Sequence, residues 1–160
     1  MDNKNLQILI PGGGNSYEAE YLHSKGFKNT YVVDISQMAL SNLKNRANNF
    51  PEEHLIHKDF FTLDIRFDII IEQTFFCAIH PQLRPEYAKK AQELLFPNGK
   101  MIGLLFNVPL NQDQPPFGGN KAEYKTYFGP YFNIQIMEEA YNSHNSRTGI
   151  ELFFKMSRKS

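Results

Sequence analysis

The chain has 160 residues, of which 41% are hydrophobic, and its 17 Lys and Arg residues balance its 17 Asp and Glu residues to give zero formal net charge at pH 7. This length and hydrophobic content indicate a single domain with its own buried core. Because a chain without net charge lacks long-range attraction to phosphate groups, nucleic-acid binding and a polybasic membrane role are disfavoured.

Cysteine content and apolar patterning favour an intracellular protein. The one cysteine, Cys77, cannot form an intrachain disulfide. No stretch approaches the ~18 apolar residues that a transmembrane helix needs, and residues 1–10 lack the basic and apolar segments of a secretion signal. We expect a cytoplasmic protein, monomeric or weakly dimeric, that acts on a small molecule and on neither nucleic acid nor membrane.

Strand and helix patterns alternate along the chain. Short apolar runs predict strands at residues 6–11, 30–33, 55–57, 67–71 and 101–106, and helical patterns occupy residues 15–25, 37–48 and 85–96. A functional loop is predicted at residues 107–119, and a closing hairpin at residues 134–136 and 150–156. The pattern predicts a Rossmann-like, doubly wound α/β fold in one domain over residues 1–160, with helices on both faces of a mainly parallel seven-stranded sheet that ends in a C-terminal antiparallel hairpin.

Candidate ligand-binding residues follow the first two predicted strands. In such sheets ligands bind outside the carboxyl ends of the strands. Three consecutive glycines, Gly12, Gly13 and Gly14, follow the first strand and leave backbone N–H groups accessible to a ligand. Asp34, with Ile35 beside it, ends the second strand at the spacing typical of an acid that binds ribose hydroxyls.

The third strand and the glycine turn together indicate which nucleoside cofactor is bound. Asp59 and Phe60 follow that strand, where a carboxylate can accept a hydrogen bond from an adenine amino group while a ring packs on the base. Tyr17 stands where a dinucleotide-binding turn has its last glycine. The sequence therefore favours S-adenosylmethionine over NAD, and an NAD-dependent oxidoreductase is kept as the alternative.

After the fourth strand the sequence reads Thr74-Phe75-Phe76-Cys77-Ala78-Ile79, followed by Arg84-Pro85 and later by Pro115-Pro116-Phe117 and Arg147-Thr148-Gly149. Together with the glycine turn, Asp34 and Asp59-Phe60, this order resembles the thiopurine S-methyltransferase family, and more closely its thiol and halide methyltransferase branch. The resemblance covers nearly the whole chain.

The resemblance implies S-adenosylmethionine-dependent methyl transfer to a small soft nucleophile: a thiol, hydrogen sulfide, a halide or a thiopurine-like compound. Because a sulfonium methyl is already activated and thiols ionise near neutral pH, no catalytic acid or base is expected. The expected cofactor-binding residues are Gly12, Gly13, Gly14, Asp34, Ile35, Asp59, Phe60, Glu72 and Gln73. The expected substrate-side residues are Thr74, Phe75, Phe76, His80, Phe117 and Arg147.

The role of Glu72 is left open at this point. At a strand end it is expected to accept from the methionyl amino group, to position Thr74, or to be a carboxylate satisfied within the protein. Two further pairs are weaker candidates. Cys77 and His80 lack an orienting third group for nucleophilic catalysis, and His54 and His57 lack a third metal ligand, so no metal is expected.

The sequence also departs from the family pattern. Family members commonly carry an N-terminal segment with tryptophans that closes over the cofactor, and this sequence contains no tryptophan. Plant members have tyrosines where Gln73 and Phe117 stand, and many members have cysteine at Gly13. We therefore expect a domain without the usual N-terminal lid and with slow turnover, and a catalytically silent cofactor-binding domain is the second alternative.

Overall fold

The computed structural model describes residues 3–12, 17–140 and 150–159. Its strands are β1 (Ile8–Pro11), β2 (Thr30–Asp34), β3 (Leu55–His57), β4 (Phe67–Glu72), β5 (Leu95–Phe106), β6 (Phe132–Glu139) and β7 (Glu151–Arg158). Its helices are α1 (Tyr17–Ser24), α2 (Gln37–Arg46), α3 (Arg84–Glu93) and α4 (Lys121–Phe128). None of the described helices is both long enough and apolar enough to cross a membrane.

The strands form one seven-stranded sheet in the order β3-β2-β1-β4-β5-β7-β6. The first five strands along the chain run parallel, and β7 lies antiparallel to both of its neighbours, β5 and β6. The predicted fold class is therefore confirmed, including the antiparallel C-terminal pair. The ends of β1, β2, β3 and β4 meet at one edge of the sheet, where a ligand site is expected.

Alternating side chains of the central strands build two hydrophobic cores, one on each face of the sheet. On β1, Leu9 packs into the core covered by α3 and α4, whereas Ile8 and Ile10 pack into the core covered by α1 and α2. Val33 and Val32 of β2 divide between the two cores in the same way. Because both faces are buried, β1 and residues 69–71 of β4 appear as uninterrupted apolar runs in the sequence.

Side-chain caps start two of the helices. Ser36 Oγ accepts from the backbone N–H of Ala39 at 3.2 Å at the start of α2, and Asn120 Oδ1 accepts from the N–H of Glu123 at 2.8 Å at the start of α4. Helix α4 was not predicted from the sequence, although Asn120 is a favoured capping residue and Tyr124 and Phe128, four residues apart, both face the core.

Several predicted element ends differ from the structure. β1 begins at Ile8 rather than at residue 6, α2 ends at Arg46, and α3 ends at Glu93. The largest difference is at β5, which begins at Leu95 although Pro97-Asn98-Gly99 predicts a helix end followed by a strand at residue 101. Here the pairing with β4 shifts register between Phe67 and Ile69, and Asn98 adopts a positive φ of 69°, so these residues form an irregularity within the strand.

Candidate functional site

A cavity of about 760 Å³ opens at the carboxyl ends of the parallel strands. It is bounded by residues from the ends of β1, β2, β3, β4 and β5 and by the segment between β5 and α4. Its lining residues are Gly12, Val33, Asp34, Ile35, Ser36, Ala39, Lys58, Asp59, Phe60, Phe61, Thr74, Phe75, Cys77, Ala78, Ile79, Leu83, Phe106, Pro115 and Pro116. The topology therefore brings together seven of the predicted site residues: Gly12, Asp34, Ile35, Asp59, Phe60, Thr74 and Phe75.

Gly12 gives the cavity a backbone floor that only glycine permits. Its φ is +54°, and a Cβ built there would lie 2.3 Å from Cδ1 of Phe75. Side chains at such a φ are strained, and the Phe75 ring already occupies the space. The missing Cβ thus makes room for the Phe75 ring, and the backbone of Gly12 itself lines the cavity, where its polar groups are accessible to a ligand.

The polar groups of the cavity lie at the β2 and β3 end. Asp34 Oδ1 accepts from the N–H of Ser36, and Asp59 Oδ1 accepts from the N–H of Phe61, each at 2.9 Å. Each bond engages one carboxylate oxygen and orients the second as an acceptor for ligand hydroxyl or amino groups. Lys58 lines the same end, and a nucleoside carrying hydroxyl and amino donors fits these two carboxylates.

Aromatic rings form the wall between the two ends of the cavity. The Phe60 ring packs against Phe75 with centroids 5.3 Å apart, stacks on Tyr87 at 5.1 Å, and meets Phe61 edge-on at 5.4 Å. Although Phe60 lines the cavity, it is only 2% exposed. It therefore supports Phe61 and Phe75, which present more surface to a ligand.

The opposite end of the cavity, which we call the acceptor end, is apolar. It is lined by residues that follow β4, by the end of β5 and by two prolines: Thr74, Phe75, Cys77, Ala78, Ile79, Leu83, Phe106, Pro115 and Pro116. None of these described residues is Asp, Glu, His, Lys or Arg. The charged side chains that line the cavity, Asp34, Lys58 and Asp59, all belong to the β2 and β3 end.

Glu72 is buried inside the protein and does not line the cavity. It is 1% exposed, and its carboxylate accepts from the N–H groups of Phe75 and Phe76, each at 3.0 Å, and from Tyr87 Oη at 2.7 Å. Burial raises the pKa of Glu72 to about 7, although these three donors act to lower it. The structure thus corrects the expected cofactor contact in favour of the other alternative, a carboxylate satisfied within the protein.

Four other predicted residues also lie away from the cavity surface. Gln73 borders a separate small void, and Phe76 is 1% exposed and packs on Tyr87 in the core. His80 Nδ1 accepts from the N–H of Gln82 and so caps a short turn. Phe117 is buried and borders a second, neighbouring cavity. Gly13, Gly14 and Arg147 lie outside the described residues, and their roles stay predictions.

Several residues that line the cavity were not predicted as site residues from the sequence. Phe106 ends β5, and the rule that ligands bind at strand ends could have identified it. Cys77, Ala78, Ile79 and the proline pair belong to motifs that carried the resemblance. Lys58 and Leu83 had no comparable signal.

The two weaker candidate sites are not assembled. Cys77 Sγ donates to the carbonyl oxygen of Thr74 at 3.2 Å, and His80 Nδ1 accepts from the N–H of Gln82, so both of these atoms have backbone partners. Across residues 3–12, 17–140 and 150–159, no group of three His, Cys, Asp or Glu side chains could hold a metal ion.

Sequence comparison identifies the family. The family model for thiopurine S-methyltransferases matches residues 1–156 of the chain. The chain belongs to the thiopurine S-methyltransferase family. Members use S-adenosylmethionine, so the predicted family, enzyme class and cofactor are confirmed at the level of the family.

Curated relatives agree with this membership. The chain is 30% identical to probable thiol methyltransferase 2 of Arabidopsis thaliana, over 79% of this chain and 58% of the relative. It is 31% identical to thiocyanate methyltransferase 1 of Brassica oleracea, over 94% of this chain and 70% of the relative. A thiopurine S-methyltransferase of Vibrio cholerae is 25% identical over 76% of this chain and 63% of that protein. Because the chain spans 58–70% of these relatives, its own activity and methyl acceptor are matters for proposal.

Solved structures place the fold among S-adenosylmethionine-dependent methyltransferases. The N-methyltransferase NodS of Bradyrhizobium japonicum, in complex with S-adenosylhomocysteine, superimposes with a TM-score of 0.77 at 12% identity, over 98% of this chain and 80% of that chain. Magnesium protoporphyrin IX methyltransferase of Synechocystis, with bound S-adenosylmethionine, gives a TM-score of 0.76 at 14% identity, over 97% of this chain and 71% of that chain. These likenesses concern the fold alone.

Proposed function

We propose that this protein transfers the methyl group of S-adenosylmethionine to a small, uncharged, apolar thiol. The observation that carries the proposal is the division of the cavity into a polar end with two carboxylates and an acceptor end whose described lining residues carry no charged side chain. The polar end suits a nucleoside, and the acceptor end suits an apolar molecule that approaches the nucleoside from the other side.

Residues of the polar end would hold the cofactor. The carboxylates of Asp34 and Asp59 would accept hydrogen bonds from ribose hydroxyls and from the adenine amino group, and Ile35 and Phe61 would pack against the base. Gly12 would present its backbone to the cofactor, because it has no side chain and lines the cavity directly. Gly13 and Gly14 would extend this surface.

Methyl transfer to a thiolate requires no acid or base at the acceptor end. S-adenosylmethionine supplies a methyl group on a sulfonium; a thiolate sulfur forms the new S–C bond as the sulfonium S–C bond breaks, leaving a thioether and S-adenosylhomocysteine. A thiol of pKa near 8.5 is partly ionised at neutral pH, whereas an alcohol is not. An acceptor end without an acid or base among its described lining residues therefore favours a thiol over an alcohol.

The acceptor end contributes position and exclusion of water. Phe75, Ile79, Phe106, Pro115 and Pro116 would enclose the acceptor and hold its sulfur in line with the methyl group. Apolar walls also favour an apolar thiol over a charged one such as glutathione, since charges would lose their hydration without a charged partner among the described lining residues of this end. The names of two relatives, probable thiol methyltransferase 2 and thiocyanate methyltransferase 1, both denote acceptors that contain sulfur.

The test is a methyl-transfer assay that measures S-adenosylhomocysteine formed with benzenethiol, sodium sulfide, thiocyanate and glutathione as acceptors. We expect benzenethiol to exceed glutathione in kcat/KM by at least roughly tenfold, since burying a charge without a partner costs more than about 1.4 kcal/mol. Faster methylation of glutathione would contradict the apolar acceptor. Absence of S-adenosylhomocysteine with every acceptor would contradict methyl transfer to sulfur.

The cofactor assignment has its own test in Asp34→Ala. We expect this substitution to weaken S-adenosylhomocysteine binding by roughly 2–4 kcal/mol, because hydrogen bonds from ribose hydroxyls to a charged acceptor are lost. Calorimetric titration measures the change, and Asp64→Ala, at an exposed position outside the cavity, serves as the matched control. An unchanged Kd in folded Asp34→Ala, or NAD binding tighter than that of S-adenosylhomocysteine, would contradict the assignment.

We also infer that the protein acts in a reducing compartment such as the cytoplasm, as a monomer or weak dimer, without nucleic acid. The single cysteine supports the reducing compartment, and the zero net charge supports the absence of nucleic acid. Light scattering coupled to size exclusion tests the oligomeric state, and a stable dimer at micromolar concentration would contradict it.

A further inference from the structure

Arg84, the first residue of α3, is a buried cation that no step of the proposed reaction uses. It is 1% exposed. Its Nη1 donates to Glu123 Oε2 at 2.7 Å, and its Nη2 donates to the carbonyl oxygens of Gly118 at 2.8 Å and Phe117 at 3.4 Å. Its Cζ lies 4.5 Å from the centroid of the Phe76 ring. One guanidinium thus joins α3, α4, the turn after β4 and the segment before α4.

The segment that Arg84 contacts continues into the wall of the acceptor end. Pro115 and Pro116 line the cavity and directly precede Phe117. The N–H of Phe117 donates to the carbonyl oxygen of Cys77 at 2.7 Å, and Cys77 itself lines the cavity. The position of the proline wall therefore depends on several neighbouring attachments, among them the bond to Cys77, the bonds to Arg84 and a bond from Asn111 Nδ2 to the carbonyl oxygen of Pro116 at 3.4 Å.

Arg84 does not act by touching a ligand in the main cavity. It is absent from that lining and borders instead a separate cavity of about 410 Å³ together with Asn107, Asn111 and Glu123. Glu123 balances its charge, and two backbone carbonyls take its remaining Nη2 contacts. A guanidinium with this set of partners fixes a backbone segment in place.

We propose that Arg84 is a positioning residue that holds residues 115–118 against the turn after β4 and thereby sets the width of the acceptor end. This inference rests on the proposed function, because it assigns the acceptor to that end of the cavity. Loss of the guanidinium should leave the polar end of the cavity unchanged and loosen the proline wall.

The test compares Arg84→Met and Arg84→Lys with Lys89→Met, which replaces a cation by methionine at an exposed position of α3. In Arg84→Met we expect the KM for benzenethiol to rise roughly tenfold, from the loss of hydrogen bonds to a charged donor. The kcat should fall less, and the Kd of S-adenosylhomocysteine should stay within about twofold, because the polar end keeps its contacts. Arg84→Lys should likewise raise the KM for benzenethiol more than it changes kcat or the Kd of S-adenosylhomocysteine. An ammonium group cannot bond Glu123 and both carbonyls as the planar guanidinium does.

The double variant Arg84→Met with Glu123→Leu distinguishes a positioning role of Arg84 from a merely structural one. Replacing a buried ion pair by apolar groups commonly restores stability, so thermal unfolding should recover while the KM for benzenethiol stays raised. Recovery of the KM together with stability would overturn the proposal, as would an unchanged KM in folded Arg84→Met. Equal losses in cofactor and acceptor binding would overturn it as well.

Hydrogen exchange makes the proposal testable even if the proposed reaction fails. In Arg84→Lys we expect the amide of Phe117, bonded to Cys77, and that of Gly119, bonded to Val108, to exchange at least roughly tenfold faster than in the wild type. The amide of Ser36, at the polar end, should be unaffected. Unchanged exchange at Phe117 and Gly119 would overturn the positioning role. Faster exchange in a protein that methylates no thiol would uphold that role and refute only the proposed reaction.

Discussion

At the residue scale, Gly12 affects both the surface that binds the cofactor and the packing of Phe75. An alanine Cβ at this position would lie 2.3 Å from Phe75 Cδ1, and φ is +54°. We expect Gly12→Ala to cost about 1–2 kcal/mol in backbone strain and, in addition, to displace Phe75 and weaken S-adenosylhomocysteine binding. Urea unfolding and calorimetric titration measure the two effects.

Gly26→Ala is the matched control for this prediction. Gly26 also has a positive φ, +97°, but a Cβ there would meet only the Lys4 side chain, at 3.7 Å or more. The control should therefore lose stability through backbone strain while cofactor affinity stays unchanged. If Gly12→Ala lowers stability and leaves cofactor affinity equal to that of Gly26→Ala, then Gly12 does not form part of the cofactor surface.

Glu72 makes the stability of the fold depend on pH. Burial raises its pKa from 4.5 to about 7 in the folded state. Between these values the folded protein retains a proton that the unfolded chain has released, so the free energy of unfolding should fall by up to about 3 kcal/mol as pH rises from about 4.5 through 7.

The measurement is urea unfolding of wild type and Glu72→Gln between pH 5 and pH 8. Glutamine cannot titrate, so the variant should lack this decline, and its stability relative to wild type should improve as pH rises. A difference between the two proteins that stays constant over this range would show that the Glu72 carboxyl keeps an ordinary pKa. Asp64→Asn, at an exposed position, is the control for general effects of charge.

At the element scale, α4 depends on its capping residue. Asn120 Oδ1 accepts from the N–H of Glu123, and the hydroxyl of Tyr124 in the first turn donates to the carbonyl oxygen of Phe106 at the end of β5. We expect Asn120→Ala to lower stability by about 1 kcal/mol and to increase amide exchange in α4. Asn133→Ala, at an exposed position of β6, is the control, and equal stability of the two variants would refute the cap.

Elements with strong periodic patterns could be predicted from the sequence. The apolar runs of β1 and β4 reflect burial on both faces, so their existence was readable even where their ends were not. α4 lacked a comparable signal because only Tyr124 and Phe128 of its eight residues are fully buried. The start of β5 could not be predicted because residues such as Pro97-Asn98-Gly99 typically end a helix or a strand. Here they form an irregularity inside a strand.

Site residues at strand ends could be predicted from the sequence, whereas those in irregular segments could not. Asp34 and Asp59 could be predicted because parallel topology fixes where strands end. Glu72 could also have been placed correctly, since it shares a face of β4 with Ile70, two residues earlier and inside the core covered by α3. Pro115, Pro116 and Leu83 come from irregular segments whose path depends on tertiary contacts such as those of Arg84, which no local pattern encodes.

At the scale of the whole molecule, the two cores share the strands between them. Leu9 belongs to one core, and Ile8 and Ile10 belong to the other. If either core unfolds, β1 therefore loses its packing in both cores. We expect Leu43→Ala in one core and Met101→Ala in the other each to cost about 2–5 kcal/mol within one cooperative transition.

Far-ultraviolet circular dichroism and tyrosine fluorescence should report coincident unfolding curves for both variants. Ile65→Ala, at a position 42% exposed, should leave the curve nearly unchanged. Two separated transitions in either core variant would show that the faces unfold independently.

The position of β7 between β5 and β6 has a consequence during protein synthesis. β6 leaves the ribosome before β7, its sole neighbour in the described sheet. Until residues 151–158 emerge, the nascent chain exposes the free edges of both β5 and β6, together with apolar side chains such as Phe132 and Met137. Such edges are the surfaces through which partly folded chains associate. The sheet therefore closes only after translation of its last strand, and the interval before that step is when this protein is most exposed to aggregation.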